Sequence, residues 1–381
     1  MSFNNTDLDF GQAINYHYGK FPPQNLDYKS LMSYLAKASD SIARYDQMLK
    51  SMHNNDLFLA PLRREESVIS SRIEGTISTV DEILKYESDL ADEDDPTKVK
   101  SDQRLEVIET FLYYQSLKSA QFKLKEGVKP SDWLIRSIHQ ELLSGGRGAE
   151  KSPGKYKVEQ NYVVDKRTKK ILFIPAKPEN LQEGMDQLFQ YVNAEHETDL
   201  IKIGVAHAEF ESLHPFEDGN GRIGRMLITL LLWHSGVISQ PHFYISAYFE
   251  DNKDLYLDLL RDVSQNGNWT NWCIFFLQAI DKQSQKNLET LEQIKNLYED
   301  MKKGFSEVLS SKNSIQALDF CFSQPIFRNS TFVKKSNIPS ATASRFTRVL
   351  VEKGYLVVLE EAAGSKSALY KFEPLLELVR V

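Results

Sequence analysis

Cysteine is nearly missing from this sequence: 381 residues hold two, Cys273 and Cys321, in separate segments and at no metal-ligand spacing. That excludes a disulfide-stapled fold and a zinc finger. Long apolar runs are missing as well. The longest, Met226–Trp233, falls far short of the roughly 20 residues that span a bilayer. The opening MSFNNTDLDF has neither a basic start nor an apolar stretch, so a cytoplasmic protein without a membrane partner is expected. No repeat and no low-complexity tract interrupts the chain. Nor does one sign of charge dominate. The formal net charge is -7 and 26% of residues are charged, which speaks against nucleic-acid binding by the chain as a whole but not against a local basic face. Apolar residues make up 41%, enough for a sizeable core, and the length fits two or three domains.

What is present is mostly helical periodicity. Leu31, Tyr34, Leu35, Ala38, Ile42, Tyr45 and Leu49 recur at helical spacing between Tyr28 and Lys50. A second helix is predicted after Pro61, from Leu62 to about Glu74, stopped by Gly75. The acidic, proline-containing stretch Ser88–Gln103 reads as a solvated loop. Helical patterns follow over Leu105–Lys118, Ser131–Leu143, Pro178–Ala194 and Asp199–Ser212, then over Arg222–Ser235, Asp251–Gln265 and Trp269–Leu309. Trp269 and Trp272 read as core. One stretch differs: Asn161–Val164 and Lys170–Ile174, separated by DKRTK and closed by Pro175, read as a β-hairpin.

The last seventy or so residues change character. Helical stretches Ser314–Ser323, Ser330–Ser336 and Ser340–Lys353 precede an alternating segment, GYLVVLEEAAGSKSALYKF, that turns at Ala-Gly-Ser. Three helices and a two-stranded wing are the pattern of a winged helix-turn-helix. From Lys312 to Val381 ten Lys or Arg face six Asp or Glu, a balance of +4 in an acidic protein. Arg345 and Arg348 fall on the predicted recognition helix and Lys366 near the wing tip. This composition suits DNA, and winged helices also serve as protein-docking modules.

The chemistry concentrates between two helices, in His214-Pro-Phe-Glu-Asp-Gly-Asn-Gly-Arg-Ile-Gly-Arg225. Gly219 and Gly221 flank Asn220 where an apolar helix begins. Small residues there let backbone N–H groups converge, and the helix N-terminus adds partial positive charge, which makes an anion nest. Arg222 and Arg225 lie one turn apart and suit bidentate contact with one anion. Asp218 is a carboxylate beside that phosphate site, as Mg²⁺ binding requires. His214 is the nearby group able to take a proton near neutral pH. Together these are the parts for transferring a phosphoryl or nucleotidyl group.

The string resembles the Fic motif HPFx[DE]GNGRxxR at every fixed position: His214, Pro215, Phe216, Asp218, Gly219, Asn220, Gly221, Arg222 and Arg225. The resemblance implies a protein adenylyltransferase that moves AMP from Mg-ATP to a Ser, Thr or Tyr hydroxyl. It implies that His214 is the base and that Asp218 holds Mg²⁺. It assigns ATP contacts to His214, Gly219, Asn220, Gly221, Arg222, Ile223, Gly224 and Arg225, with Arg225 at the γ-phosphate. Phe216 is expected to anchor the loop. Relatives that act as kinases depart from the GNGR portion, which this chain keeps.

Upstream, Ser70-Ser-Arg-Ile-Glu74-Gly75 fits the inhibitory pattern [ST]xxxE[GN] of the same family. Ser70 and Glu74 share a helix face one turn apart. The resemblance implies that Glu74 pairs with Arg225, takes the γ-phosphate's seat and pushes ATP into an unproductive pose. The hairpin 161–174 resembles the family's flap, with Gly154-Lys-Tyr156 as its approach and Phe173-Ile174-Pro175 as its return. A target segment is expected to pair with a flap edge through backbone hydrogen bonds. Tyr256 and Leu257 fall where relatives carry two adjacent tyrosines near the nucleotide base. His207, seven residues before His214, reads as a structural histidine.

The expected fold is mainly α: a Fic-type helical bundle with a β-hairpin flap, joined to an α+β winged helix-turn-helix. The expected division is an N-terminal helical region carrying the inhibitory helix over 1–110, a catalytic domain over 111–280, a linker helix over 281–311 and the C-terminal module over 312–381. A homodimer accords with the resemblance. Two other functions fit the same residues: a DNA-binding regulator that senses ATP or modifies itself, and an enzyme that removes AMP.

Overall fold

The computed structural model describes residues 10–11, 13–52, 55–92, 104–165, 167–196, 198–364 and 366–380. In chain order the elements are β1 (Ile14–Asn15), α1 (Tyr28–Ser51), α2 (Asn55–Ile73), α3 (Val80–Asp92), α4 (Leu105–Lys125), α5 (Asp132–Leu142), β2 (Val163–Val164) and β3 (Ile171–Ile174). Then come α6 (Leu181–Asn193), α7 (Asp199–Leu213), α8 (Asn220–His234), α9 (Ser246–Asp251), α10 (Lys253–Asn266) and α11 (Trp269–Leu309). The last are α12 (Ser314–Ser323), β4 (Ile326–Arg328), α13 (Asn329–Lys335), α14 (Ser340–Glu352), β5 (Val357–Glu360), β6 (Leu369–Lys371) and α15 (Glu373–Val379). The chain is mostly helical with two small sheets, as a Fic-type fold requires. No described helix is long and apolar enough to cross a membrane. Cys273 and Cys321 are both buried free thiols.

The residues divide into two compact units, Met1–Gln47 with Gln115–Gln285, and Met48–Tyr114 with Lys286–Val381. In the first, α7 and α8 are buried almost all round, the signature of central helices. Helices α6, α8 and α10 pack on α7, and α5 packs on α6 and α8. Gly204 lets α11 come close: a Cβ there would meet Phe276 Cδ1 at 2.8 Å, and Trp272 Nε1 donates to Gly204 O at 2.7 Å. Trp269 and Trp272 are core, as their spacing predicted.

The hairpin is present, but β3 has a second neighbour. The sheet order is β1-β3-β2, with β1 parallel and β2 antiparallel to β3. Strand β1, only two residues long, carries no signal in the sequence. It is anchored by side chains that follow it: Tyr16 donates to Glu209 Oε1 at 2.5 Å, while His17 bridges Glu209 Oε2 at 2.8 Å and Ser264 Oγ at 2.7 Å.

The second unit joins distant segments. Val68, Val80, Ile83, Leu84 and Val107 form one core cluster with Ile326, Leu369 and Leu376. Strands β4, β6 and β5 make an antiparallel sheet in that order, and β4 and α13 pack on α3. Arg328 lies buried between Asp89 Oδ1 at 2.9 Å and Glu360 Oε2 at 2.6 Å, and its backbone N–H donates to Ser88 Oγ at 3.0 Å.

Two expectations need correcting here. Residues 88–92 are the end of helix α3 and not loop, while 93–103 lie outside the described residues. Thr79 and Glu82 form a capping box, with Thr79 N–H donating to Glu82 Oε2 at 2.9 Å and Glu82 N–H to Thr79 Oγ1 at 3.2 Å. That box fixes the helix start, and Val80, Ile83 and Leu84 bury its apolar side. Helix α2 begins at Asn55 and carries Pro61 inside it. The missing proline donor leaves one carbonyl a turn earlier without its helical bond, and burial of Leu57, Phe58, Leu59 and Leu62 holds the segment helical nonetheless.

Candidate active site

Helix α7 ends at His214, which caps it in a left-handed backbone conformation, φ 46° and ψ 61°. The chain then turns through Pro215–Asp218, and Gly219, at φ 81°, is the N-cap of α8. Glycine suits that position twice over. Its φ is left-handed, and a Cβ would stand 3.3 Å from Leu142 Cδ2. Ile223 N–H bonds Gly219 O at 3.0 Å. The N–H groups of Asn220, Gly221 and Arg222 precede that bond and stand outside the helix's own ladder. They form the positive end of a fifteen-residue helix.

Asn220 staples the turn: its Oδ1 accepts Phe216 N–H at 2.9 Å and its Nδ2 donates to Phe216 O at 2.8 Å. This amide therefore shapes the loop. Arg222 is buried, and its Nη2 donates to Asp218 Oδ2 at 3.1 Å. Its Nε and Nη1 are also buried and have no acceptor among the described residues. A buried guanidinium with two unmet donors is costly. An anion seated at the head of α8 would relieve that cost. The residues also fit Mg²⁺. The Asp218 side chain is 51% exposed, and Mg²⁺ is held by one or two carboxylates while keeping waters and taking phosphate oxygens. Among the described residues no group of three His, Cys, Asp or Glu is set to hold a metal, so a site of this kind rests on Asp218 and on substrate oxygens.

His214 is half-buried, and its Nδ1 stands 3.3 Å from Glu211 O. A carbonyl only accepts, so Nδ1 carries the proton and Nε2 the lone pair. That tautomer leaves Nε2 unprotonated. Arg225, one turn beyond Arg222, is 1% exposed. Ile223 is wholly buried. Gly224 lets α7 and α8 touch: a Cβ there would meet Glu211 Oε1 at 2.0 Å.

Histidine 207 is structural, as its sequence context predicted. Its Nδ1 donates to Gly224 O at 3.1 Å and its Nε2 accepts from Tyr256 Oη at 3.0 Å. Burial pushes its pKa down to about 3. Tyr256 is thereby linked to the motif helix, 2% exposed, with its ring stacked on Phe249 at 4.5 Å. Leu257 is half-buried on α10.

Three side chains that the sequence did not single out hold the motif loop. His139 stacks on Phe216 with ring centroids 3.7 Å apart and 7° between planes. Its Nε2 donates to Asp218 O at 3.0 Å and its Nδ1 accepts Gly154 N–H at 2.9 Å. Burial lowers its pKa to about 4. Lys157 and Asn161, on the approach to the flap, are the other two. The only sequence signal for any of them was the proximity of 154–161 to the hairpin.

Ser70 and Glu74 belong to the second unit. Ser70 is wholly buried in the last turn of α2. Glu74 follows the helix, which closes in a Schellman motif: Thr76 N–H bonds Ser71 O at 3.0 Å and Gly75 N–H bonds Arg72 O at 2.9 Å, with Gly75 at φ 92°.

Comparison with known proteins places two family matches on this chain. Residues 130–232 match the Fic/DOC family and residues 32–121 match the Fic/DOC N-terminal family. A probable protein adenylyltransferase of Aquifex aeolicus is 25% identical over 209 residues, covering 55% of this chain and 57% of the relative. A protein adenylyltransferase of Caenorhabditis elegans is 28% identical over 131 residues, 32% of this chain and 24% of the relative. The chain thus matches little more than half of the first relative's length and about a quarter of the second's. Among solved structures, a Fic family protein from Desulfovibrio desulfuricans superposes with a TM-score of 0.57 at 16% identity, over 92% of this chain and 98% of its own. A Fic-domain signalling protein from Bacteroides thetaiotaomicron gives 0.52 at 19% identity, over 68% and 96%.

Proposed function

Starting from a chain that carries Fic/DOC family domains, we propose that it is a protein adenylyltransferase, transferring AMP from Mg-ATP to a protein hydroxyl. The observation that supports this most is the buried Arg222, with two unmet donors at the head of α8 and His214 at the other end of the same loop. His214 Nε2 takes the proton of the incoming hydroxyl. The freed oxygen attacks the α-phosphorus, the bond from that phosphorus to the bridging oxygen breaks, and pyrophosphate leaves. Arg222 and the N–H groups of Gly221 and Arg222 bind the phosphate oxygens, and Arg225 takes the γ-phosphate. Asp218 would hold Mg²⁺, which supplies neutralisation of the oxygens on which charge builds.

The target enters along the flap. With β3 flanked by β1 and β2, β2 is the edge beside Asn161, whose side chain touches the loop of His214. A target strand added at Val163–Val164 places its hydroxyl near the base. The C-terminal module carries a second binding function. Lys335, Arg348, Lys353 and Lys366 are exposed on α13, α14, the turn after α14 and the hairpin. Exposed basic residues on these segments suit duplex DNA as the partner of a winged helix-turn-helix.

Glu74 is the brake on this activity. One guanidinium cannot serve two bidentate partners, so its carboxylate competes with the γ-phosphate for Arg225. Glu74→Gly is expected to raise label transfer from α-labelled ATP about tenfold or more. His214→Ala in that background is expected to abolish it. An unchanged rate in Glu74→Gly removes the brake, and a persistent rate in the double variant removes the mechanism. Release of AMP from a modified target, assayed in parallel, separates transfer from the reverse reaction.

A further inference from the structure

The loop from Leu213 to Phe216 has four consecutive carbonyls, and all four are taken by one short stretch of chain. Lys157 Nζ donates to Leu213 O at 3.4 Å, and Asn161 Nδ2 donates to His214 O at 3.3 Å. The backbone N–H of Lys157 bonds Pro215 O at 2.9 Å, and Asn161 Nδ2 reaches Phe216 O at 2.9 Å. Lys157 Nζ also donates to Asn161 Oδ1 at 2.6 Å. That bond fixes which way the amide points: the oxygen turns to the ammonium, and the NH₂ faces the loop. Lys157 is 3% exposed and has no carboxylate in ion-pair distance among the described residues. Burial lowers its pKa to about 7. A buried ammonium held only by the amide oxygen of Asn161 and the carbonyl of Leu213 is an expensive arrangement, and what it secures is the amide that faces the loop.

That shape needs holding. His214 is a non-glycine residue in the left-handed region, where its Cβ crowds the backbone and the conformation persists only when the surroundings fix it. The other end of the turn is held separately. His139 bonds Asp218 O and stacks on Phe216, next to Gly219 and the head of α8.

We propose that Lys157 and Asn161 are positioning residues for the base His214, and that His139 positions the phosphate-binding end of the same loop. Slackening the first clamp then slows the chemical step, and slackening the second weakens nucleotide binding. The division rests on the adenylyltransferase reading for its kinetic readout, but not for its structural one.

The test uses the full chain carrying Glu74→Gly. Lys157→Met is expected to lower kcat about 30-fold or more, as a misplaced base does, with the Kd for Mg-ATP moved less than about threefold. Lys157→Arg, which keeps the charge and the donors, is expected to recover most of the rate. Asn161→Ala combined with Lys157→Met should be little worse than either alone, because the two act as one unit. His139→Leu should do the reverse, weakening Mg-ATP binding about tenfold or more while kcat falls less. Amide hydrogen exchange over 213–217 should quicken in the Lys157 and Asn161 variants. If Lys157→Met does not fold, Asn161→Asp asks the same question by turning an acceptor toward two carbonyls. The proposal is overturned if Lys157→Met or Asn161→Asp weakens Mg-ATP binding as much as it slows transfer, or leaves exchange at 213–217 unchanged. If the Glu74→Gly parent itself transfers nothing, the proposed function falls, and the exchange data with the binding constants still judge the two clamps.

Discussion

His139 and His207 have lost the capacity to charge at neutral pH. Each donates from one ring nitrogen to a carbonyl and accepts at the other from Gly154 N–H or Tyr256 Oη, and a protonated ring has no lone pair left to accept with. Burial lowers their pKa values from 6.5 to about 4 and about 3. The sign follows. Below pH 6.5 the unfolded chain takes up protons that the folded chain refuses, so stability falls as pH drops. The share of stability that the two neutral rings contribute is expected to be full above pH 7 and to be lost from pH 6.5 toward pH 4, which lowers the melting temperature over that range. His139→Gln, which keeps a donor and an acceptor but does not titrate, should make that decline shallower. A melt against pH checks it, and an equally steep decline in the variant would remove His139 as a cause. Single residues also mark how far the sequence could be read. His214, Asp218, Asn220 and Arg222 stood out because their chemistry and spacing are written in one string. His139, Lys157 and Asn161 did not, because what they do depends on which carbonyls the folded chain brings to them.

Among the elements, α3 shows how a legible signal was outweighed. The acidic run after it read as solvent-exposed, yet Thr79 and Glu82 had the spacing of a capping box and Val80, Ile83 and Leu84 the spacing of a buried stripe. Strand β1 had no such signal: two residues pair with β3, and the side chains that follow, Tyr16 and His17, bond Glu209 far along the chain. Helix α14 has the clearest two-sidedness of the C-terminal elements. Ala343, Phe346, Thr347 and Leu350 are buried, while Ser344, Arg345 and Arg348 face outward. Arg345 already donates to Leu309 O at 3.3 Å, which leaves Arg348 the better placed to meet a phosphate. Duplex DNA is expected to bind the full chain with an affinity that falls steeply with salt. Arg348→Glu should weaken binding and reduce the salt slope by about one or two phosphate contacts. Fluorescence anisotropy across salt concentrations measures both, and no salt-dependent binding in the parent would turn the module toward a protein partner.

For the molecule as a whole, the expected boundary at 311/312 meets a core that ignores it. Val80, Ile83 and Leu84 share one cluster with Ile326, Leu369 and Leu376, and Arg328 is buried against Asp89. Hydrophobic periodicity assigned each of these residues to an element but could not say that segments so far apart share a core. Ending the chain at residue 311 is therefore expected to do more than remove a binding module. It uncovers the apolar faces of α2 and α3 and leaves Asp89 without its guanidinium, so the 48–114 segment should lose protection against hydrogen exchange and the product should aggregate. A truncated chain with native exchange over 55–92 would contradict this. The same cluster sets an order of events on the ribosome. Val80 emerges roughly 300 residues before Leu376, a wait of about 15–60 s at ordinary synthesis rates. Through that interval the apolar faces of α2 and α3 lack the part of their cover that Ile326, Leu369 and Leu376 supply.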